Sequence, residues 1–216
     1  MPENKIKVVQ EKRSRKSVAW EYIEAIIIAV ILAFIIRKFV IQAYKIPSGS
    51  MLETLQIGDH ILVNKFIYYF KDPKRGDILV FKYPKDKKRD FIKRVVGLPG
   101  DTLEIRDKEV YINGSPLDEP YAVFKDKENM FNKNHPAYYI DPYARNRDNF
   151  GPKVIPEENY FMMGDNRDFS QDSRYWGFLD RELIEGKALV IYWSWNGIED
   201  NWLKKVRWDR IGDTIH

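Results

Sequence analysis

The stretch AIIIAVILAFII, Ala25 to Ile36, is apolar on every face a helix can present. A helix packed on a water-soluble core keeps one polar side, so this stretch calls for surroundings of hydrocarbon. Its twelve residues make only about 18 Å of helix, short of a bilayer core of roughly 30 Å. Extended from Val18 to Ile41 it has 24 residues and spans about 36 Å, with Glu21, Glu24, Arg37 and Lys38 at interfacial depth. Trp20, Tyr22 and Tyr44 suit the two headgroup belts. The net charge of +4 resides in the first 19 residues, where Lys5, Lys7, Lys12, Arg13, Arg15 and Lys16 face only Glu3 and Glu11. A nucleic-acid-binding domain carries its excess charge on its folded part, so no nucleic-acid partner is expected. A basic tail before an apolar segment follows the positive-inside rule. A cleaved secretory signal would be followed by a small-residue site, whereas RKFVIQAYK is bulky and charged. The expected layout is a cytoplasmic tail over 1–17, a single transmembrane anchor over 18–41 and the rest of the chain outside, with membrane lipid as a partner.

Beyond the anchor the pattern is that of strands. HILVNKFIYYF, DILVFKY, FIKRVVG, TLEIRDKEVYING, NYFMMGD and KALVIYWSW are β-rich runs separated by Gly, Pro and Asp turns. TLEIRDKEVYING reads as a hairpin turning at Arg106–Lys108, and a turn or two of helix is expected around Met51–Leu55. Residues 117–157 are rich in proline, charge and tyrosine without periodicity, as in a loop-rich insertion. The fold class is therefore mainly β: an antiparallel β domain over 42–101 and 158–216, with a small inserted hairpin and loop-rich subdomain over 102–157. The chain has no cysteine, which excludes disulfides and a thiol nucleophile.

Three stretches carry polar side chains in patterns that suggest chemistry. In IPSGSMLETL, Pro47 fixes its own φ and holds Ile46 extended, while Gly49 is free to take values closed to other residues. Ser48 and Ser50 are thus set on a sharp turn beside backbone N–H groups. A serine nucleophile needs a base. His216 is terminal, His135 lies in the insertion and His60 opens a strand, so no Ser-His-Asp arrangement suggests itself. The other base is a lysine in FIKRVVGLPGD. Alternation puts Phe91, Lys93 and Val95 on one face of a strand and Ile92, Arg94 and Val96 on the other, so either Lys93 or Arg94 points into an apolar side. Burial lowers the pKa of lysine, whereas arginine stays charged. At an ordinary pKa only about 0.4% of lysine is neutral at pH 8. A depression of ~2 units leaves a usable base at a cost on the order of 2.7 kcal/mol. In the third stretch, GDNRDFSQDSRYWG, Asp168, Ser170 and Asp172 imitate the start of a calcium loop. Ser173 and Leu179 occupy the positions where such a loop needs Gly and Glu, so no metal is expected. What remains is a set of charges and hydroxyls suited to holding a loop rigid.

Taken together, the anchor, PSGSM (47–51), RGDILVF (75–81), KRVVGLPGD (93–101) and GDNRDFSQDSRYWG (164–177), in that order, resemble the bacterial type I signal peptidases. These are membrane-bound serine proteases that remove signal peptides from exported preproteins after small residues of the Ala-x-Ala type. The resemblance covers nearly the whole chain. It implies Ser50 as nucleophile and Lys93 as general base, with Ser48 and the Ser50 N–H as the oxyanion hole. Ser170 orients the lysine, and Asp172 and Arg174 brace the site. Tyr44, Ile46 and Pro47, with Asp90, Phe91 and Ile92, flank a substrate that adds as a strand. It further implies the bacterial plasma membrane, with the catalytic domain on the extracytoplasmic side, signal-peptide-bearing preproteins as partners and no cofactor. Glu53 and Phe169 depart from the family, which commonly has proline and asparagine there. Two alternatives stand beside this reading: a related Ser–Lys peptidase with a specialised substrate, and a non-catalytic membrane-anchored β-protein.

Overall fold

The computed structural model describes residues 18–125, 147–197, 199 and 201–216. It has two compact units, Met1–Lys38 and Phe39–His216. The first is described by helix α1, Val18–Phe39, whose 22 residues extend about 33 Å. Ile23, Ile27, Val30, Ile31 and Phe34 stand exposed around it, consistent with a stretch that has no polar face. Its uncharged run is bracketed by Glu24 and Arg37. Among the described residues no helix is long and apolar enough to cross a membrane.

The second unit is mainly antiparallel β. Strands β1 (Ile41–Lys45), β2 (Asp59–Asn64), β3 (Ile78–Tyr83) and β4 (Asp86–Gly97) precede a small sheet of β5 (Thr102–Arg106), β6 (Glu109–Ile112), β7 (Ser115–Pro116) and β8 (Phe150–Val154). The chain then returns through β9 (Asn159–Met163), β10 (Leu179–Asp180) and β11 (Ile184–Ser194). The large sheet runs β1-β2-β11-β3-β4-β9-β10 and the small one β7-β6-β5-β8. The stretch over 102–157 thus contains a sheet, and β8 lies where the sequence shows no periodicity. Val96, Phe161 and Met163 of the large sheet share a core with Leu103, Ile105, Val110 and Ile112 of the small one, so the insertion is fused to its host.

Two sequence boundaries shift for local reasons. HILVNKFIYYF is a strand only to Asn64, because the Asn64 side-chain carbonyl accepts the N–H groups of Phe66 and Ile67 at 2.9 and 3.0 Å. This turn within the chain replaces the ladder, and a 3₁₀ turn, Ile67–Tyr69, follows. The β5–β6 hairpin turns at Asp107 and Lys108, both at positive φ (47° and 75°), as a two-residue hairpin loop demands. Around Met51–Leu55 the expected helix is a turn closed by one bond, Leu55 N–H to Met51 O at 2.7 Å.

Candidate active site

Strand β4 supplies the central amine. Its outer half, from Asp86 to Asp90, is exposed, and from Ile92 to Gly97 every residue is buried. That corrects the expectation that only one of Lys93 and Arg94 faces an apolar side: β4 lies between β3 and β9 with cover on both faces, so both are buried. They are accommodated differently. The Arg94 guanidinium forms a bidentate pair with Asp165 (2.8 and 2.7 Å), donates to the carbonyls of Gly76 and His216, and stacks 3.9 Å from the Tyr121 ring centre. Lys93, only 4% exposed, has no carboxylate in contact. Its Nζ lies 2.7 Å from Ser50 Oγ and donates to Ile92 O at 2.8 Å. Burial pushes the amine down from 10.5 to about 8; Asp172 and Asp165 partly oppose this, and Arg174 adds to it. At pH 7 such an amine is about 9% neutral, against about 0.03% for an exposed one.

Ser50 reaches this position from the turn after β1. Met51 and Leu55 are buried in the core shared by β2 and β3, and they anchor the turn from below. Asn166 clamps it from the side, its N–H donating to Ser50 O at 3.2 Å and its Nδ2 to Gly49 O at 2.9 Å. Gly49 itself is not in the left-handed region, contrary to the role the sequence suggested for it. Ser48 is exposed, and among the described residues neither its hydroxyl nor the Ser50 N–H has a partner. Two donors are therefore available beside the Ser50 hydroxyl.

Behind the pair, the loop after β9 is locked by charge. Asp172 is fully buried and held by both sides of the Arg174 guanidinium at 2.8 Å. Burial raises its pKa, but Arg174, with smaller help from Ser170 and the Gly164 N–H, offsets this and leaves the carboxyl below its usual range. Arg174 also donates to the carbonyls of Arg147 and Arg167. The Ser170 hydroxyl is buried and near enough to Asp172 to favour its charged form, yet it meets no partner at full hydrogen-bond geometry, Lys93 included.

Pro47, Ser48, Ser50, Asp90, Phe91, Ile92 and Lys93 line one cleft of about 510 Å³, joined by Arg89, Phe169 and Gln171. Tyr44 and Ile46 are not among its lining residues: Ile46 is 2% exposed in the core, and half-buried Tyr44 packs against that core. Of the histidines, His60 opens β2 and His216 contacts Thr214, both away from the cleft, and His135 lies outside the described residues.

Sequence reasoning missed several supports. A Cβ on Gly164 would fall 2.2 Å from Ser170 Oγ and 2.5 Å from Ser50 O, so this glycine lets the loop approach the Ser50 turn. Arg167 pairs through both Nη atoms with Glu119, and Val123 bonds to Asp165 and Arg167 on either side of Asn166. The density of Gly, Asp, Asn and Arg over 164–174 was the available signal, but partners as distant as Glu119 leave no local trace.

The profile of the family described as signal peptidase, peptidase S26, matches residues 19–193. The signal peptidase I of Pseudomonas aeruginosa is 36% identical, covering 87% of this chain and 77% of its own. That of Aquifex aeolicus is 39% identical, covering 81% and 84%. A crystal structure of a signal peptidase I from Enterococcus faecalis, 34% identical, covers 54% of this chain and 97% of its own at a TM-score of 0.40, too low to bear on the fold.

Proposed function

The chain belongs to the peptidase S26 family of signal peptidases and is a serine endopeptidase of the signal peptidase I type; from that premise we propose how its own residues cleave signal peptides from preproteins. Neutral Lys93 takes the proton of Ser50 as Oγ attacks the scissile carbonyl. The oxyanion is held by the Ser48 hydroxyl and the Ser50 N–H, a contribution of roughly 3–4 kcal/mol per donor in other serine proteases. The lysinium returns the proton to the leaving amine, which frees the mature protein's N-terminus. Water then gives a proton to Lys93 and its oxygen to the acyl group; as the acyl–Oγ bond breaks, Lys93 passes that proton to Ser50 Oγ, which releases the signal peptide and restores both residues. Ser170 orients the amine by a small rotation of its hydroxyl, and Asp172 with Arg174 keeps the loop in place. The observation that carries this reading is the buried 2.7 Å approach of Lys93 Nζ to Ser50 Oγ.

The substrate segment adds as a strand between the Tyr44–Pro47 stretch and Asp90–Ile92, so that its backbone supplies affinity and its alternate side chains specificity. Small residues are selected by the part of the cleft lined by Pro47 and Ile92, with Ile46 and Tyr44 supporting it from the core behind. Ser50→Ala and Lys93→Ala, each folded, abolish cleavage of a preprotein at an Ala-x-Ala site. A wild-type rate in either variant rules out the Ser–Lys mechanism.

Relatives of this family work at bacterial membranes. For this chain the reading is that residues 1–17 are a cytoplasmic tail, α1 the anchor (ending at Phe39 and not at the expected Ile41, which already pairs with Asn64 in β1) and the rest of the second unit extracytoplasmic, with 102–157 inserted into the catalytic domain. Tethering enzyme and preprotein to one surface raises their effective concentration. Trp195 (40% exposed) and Trp208 (67% exposed), beside Trp193, offer an apolar patch for the lipid interface; the Trp202 side chain lies outside the described ones. Protease added to sealed spheroplasts digests the second unit and spares an epitope on the tail if this orientation holds.

A further inference from the structure

The loop after β2 carries aromatic residues that the catalytic reading does not use. Phe66, Tyr69 and Phe70 are 46%, 78% and 71% exposed, whereas Tyr68 between them is tucked in, its hydroxyl donating to Asp77 at 2.9 Å. Phe66 stacks edge-on against Phe70 with ring centres 4.8 Å apart and lies 6.1 Å from Tyr69. The Asn64 cap on Phe66 and Ile67 and the partly buried Tyr68 therefore hold a small aromatic cluster facing outward. Two exposed cations, Lys71 and Lys74, follow it and meet no carboxylate among the described residues, while neighbouring Asp72 pairs with Arg181 at 2.8 Å.

The register fixes where this cluster sits. Ile41 pairs with Asn64, and Lys65 N–H donates to Val40 O at 2.9 Å. The loop thus begins beside the residues by which the chain leaves the second unit toward α1. The exposed tryptophans follow the other end of β2, where Asp59 pairs with Ser194, some 16 Å away along the strand. Exposed aromatic rings with lysines beside them that meet no carboxylate among the described residues match the chemistry of an anionic lipid interface.

We propose that the Phe66–Lys74 loop is a lipid-docking element: Phe66, Tyr69 and Phe70 enter the headgroup layer next to the chain's exit, and Lys71 and Lys74 meet anionic headgroups. The proposal rests on the reading of α1 as a membrane anchor. It orients the cleft relative to the bilayer, which a flexible tether alone does not do.

The chain has no cysteine, so single nitroxide labels report depth in the full-length protein. Ile31→Cys, Tyr69→Cys and Ser115→Cys are each labelled and reconstituted in phosphatidylethanolamine–phosphatidylglycerol vesicles, and collisions with oxygen and with a water-soluble nickel chelate are compared. The expected result is Ile31 in the acyl core, Tyr69 at the headgroups and Ser115 in water. Chelate accessibility at Tyr69 equal to that at Ser115 overturns the loop proposal, whatever Ile31 reports. Water at Ile31 overturns the anchor reading, and Tyr69 then still judges the loop. Replacing Phe66, Tyr69 and Phe70 together by serine is expected to slow cleavage of a membrane-embedded preprotein several-fold and leave a soluble peptide's cleavage unchanged. Equal loss on both substrates points to damage of the fold and counts against docking.

Discussion

Lys93 and Arg94 are adjacent in sequence, both buried, and opposite in chemical consequence. Arg94 is paired with Asp165; Lys93 has no touching carboxylate, so burial acts on it directly. In the proposed mechanism its protonated form is the inactive one. With a pKa of about 8, kcat/KM on a peptide substrate should rise between pH 6 and 8 and level off above, and a flat profile contradicts a lysine base. The same shift has a stability consequence. Because the folded pKa lies below the unfolded one, the unfolded chain binds more protons between pH 8 and 10.5, so Lys93 costs stability at neutral pH and the cost fades as pH rises through that window. Lys93→Met should therefore raise the melting temperature at pH 6–7, by up to roughly 3 kcal/mol of stability, while abolishing turnover. Gly164→Ala tests a contact of another kind. Its methyl group would overlap Ser170 Oγ and Ser50 O, so kcat is expected to fall at least a hundredfold with a destabilisation of about 1–3 kcal/mol. Ser50 and Lys93 each stood out in their own segments, but their pairing was implied only by the resemblance of the motifs in order, and the 2.7 Å approach of their side chains belongs to the fold. The role of Gly164 was not legible, because a glycine's neighbours across 114 residues of chain separation have no signature in its own segment.

At the scale of elements, the loop from Gly164 to Trp176 is held between the nucleophile turn and the segment around Glu119–Val123. Asn166, Arg167 and Arg174 each bond to a different partner segment. Asp172→Asn removes one charge and leaves Arg174 buried without its counter-ion, which should cost about 3–5 kcal/mol in urea denaturation. The Asp172 carboxylate also raises the Lys93 pKa. Whatever activity survives in Asp172→Asn is therefore expected to rise at lower pH than in the wild type, a shift that simple loss of structure does not produce. Glu119→Gln should weaken the same loop from the other side and lower kcat more than it raises KM, as read from peptide kinetics. Strands β2 to β6, β9 and β11 were legible as β-rich runs between turn residues, whereas β8 lies in a stretch with no period to show. Strand ends were decided by single side chains, such as the Asn64 carbonyl that stops β2, and alternation does not encode such ends.

For the whole molecule, the two compact units make separable contributions: the second carries the cleft, and the first supplies α1. A chain starting at Phe39 is expected to keep its rate on a soluble peptide but lose at least about a hundredfold on a preprotein embedded in vesicles, because tethering no longer concentrates the reactants. Equal rates on both substrates with and without residues 1–38 would show that α1 has no part in presenting the enzyme. The apolar run, the strand-rich remainder, and the order of the serine, lysine and Gly-Asp-Asn-Arg stretches are properties of the sequence, because hydrophobic period and residue chemistry act locally. Tertiary structure alone decided that β4 is covered on both faces, that Arg94 has a carboxylate and Lys93 none, and that the insertion shares its core with the large sheet. Those outcomes depend on which distant segments meet in three dimensions, and burial, the quantity that sets the lysine's charge, belongs to the folded chain and not to any stretch of it.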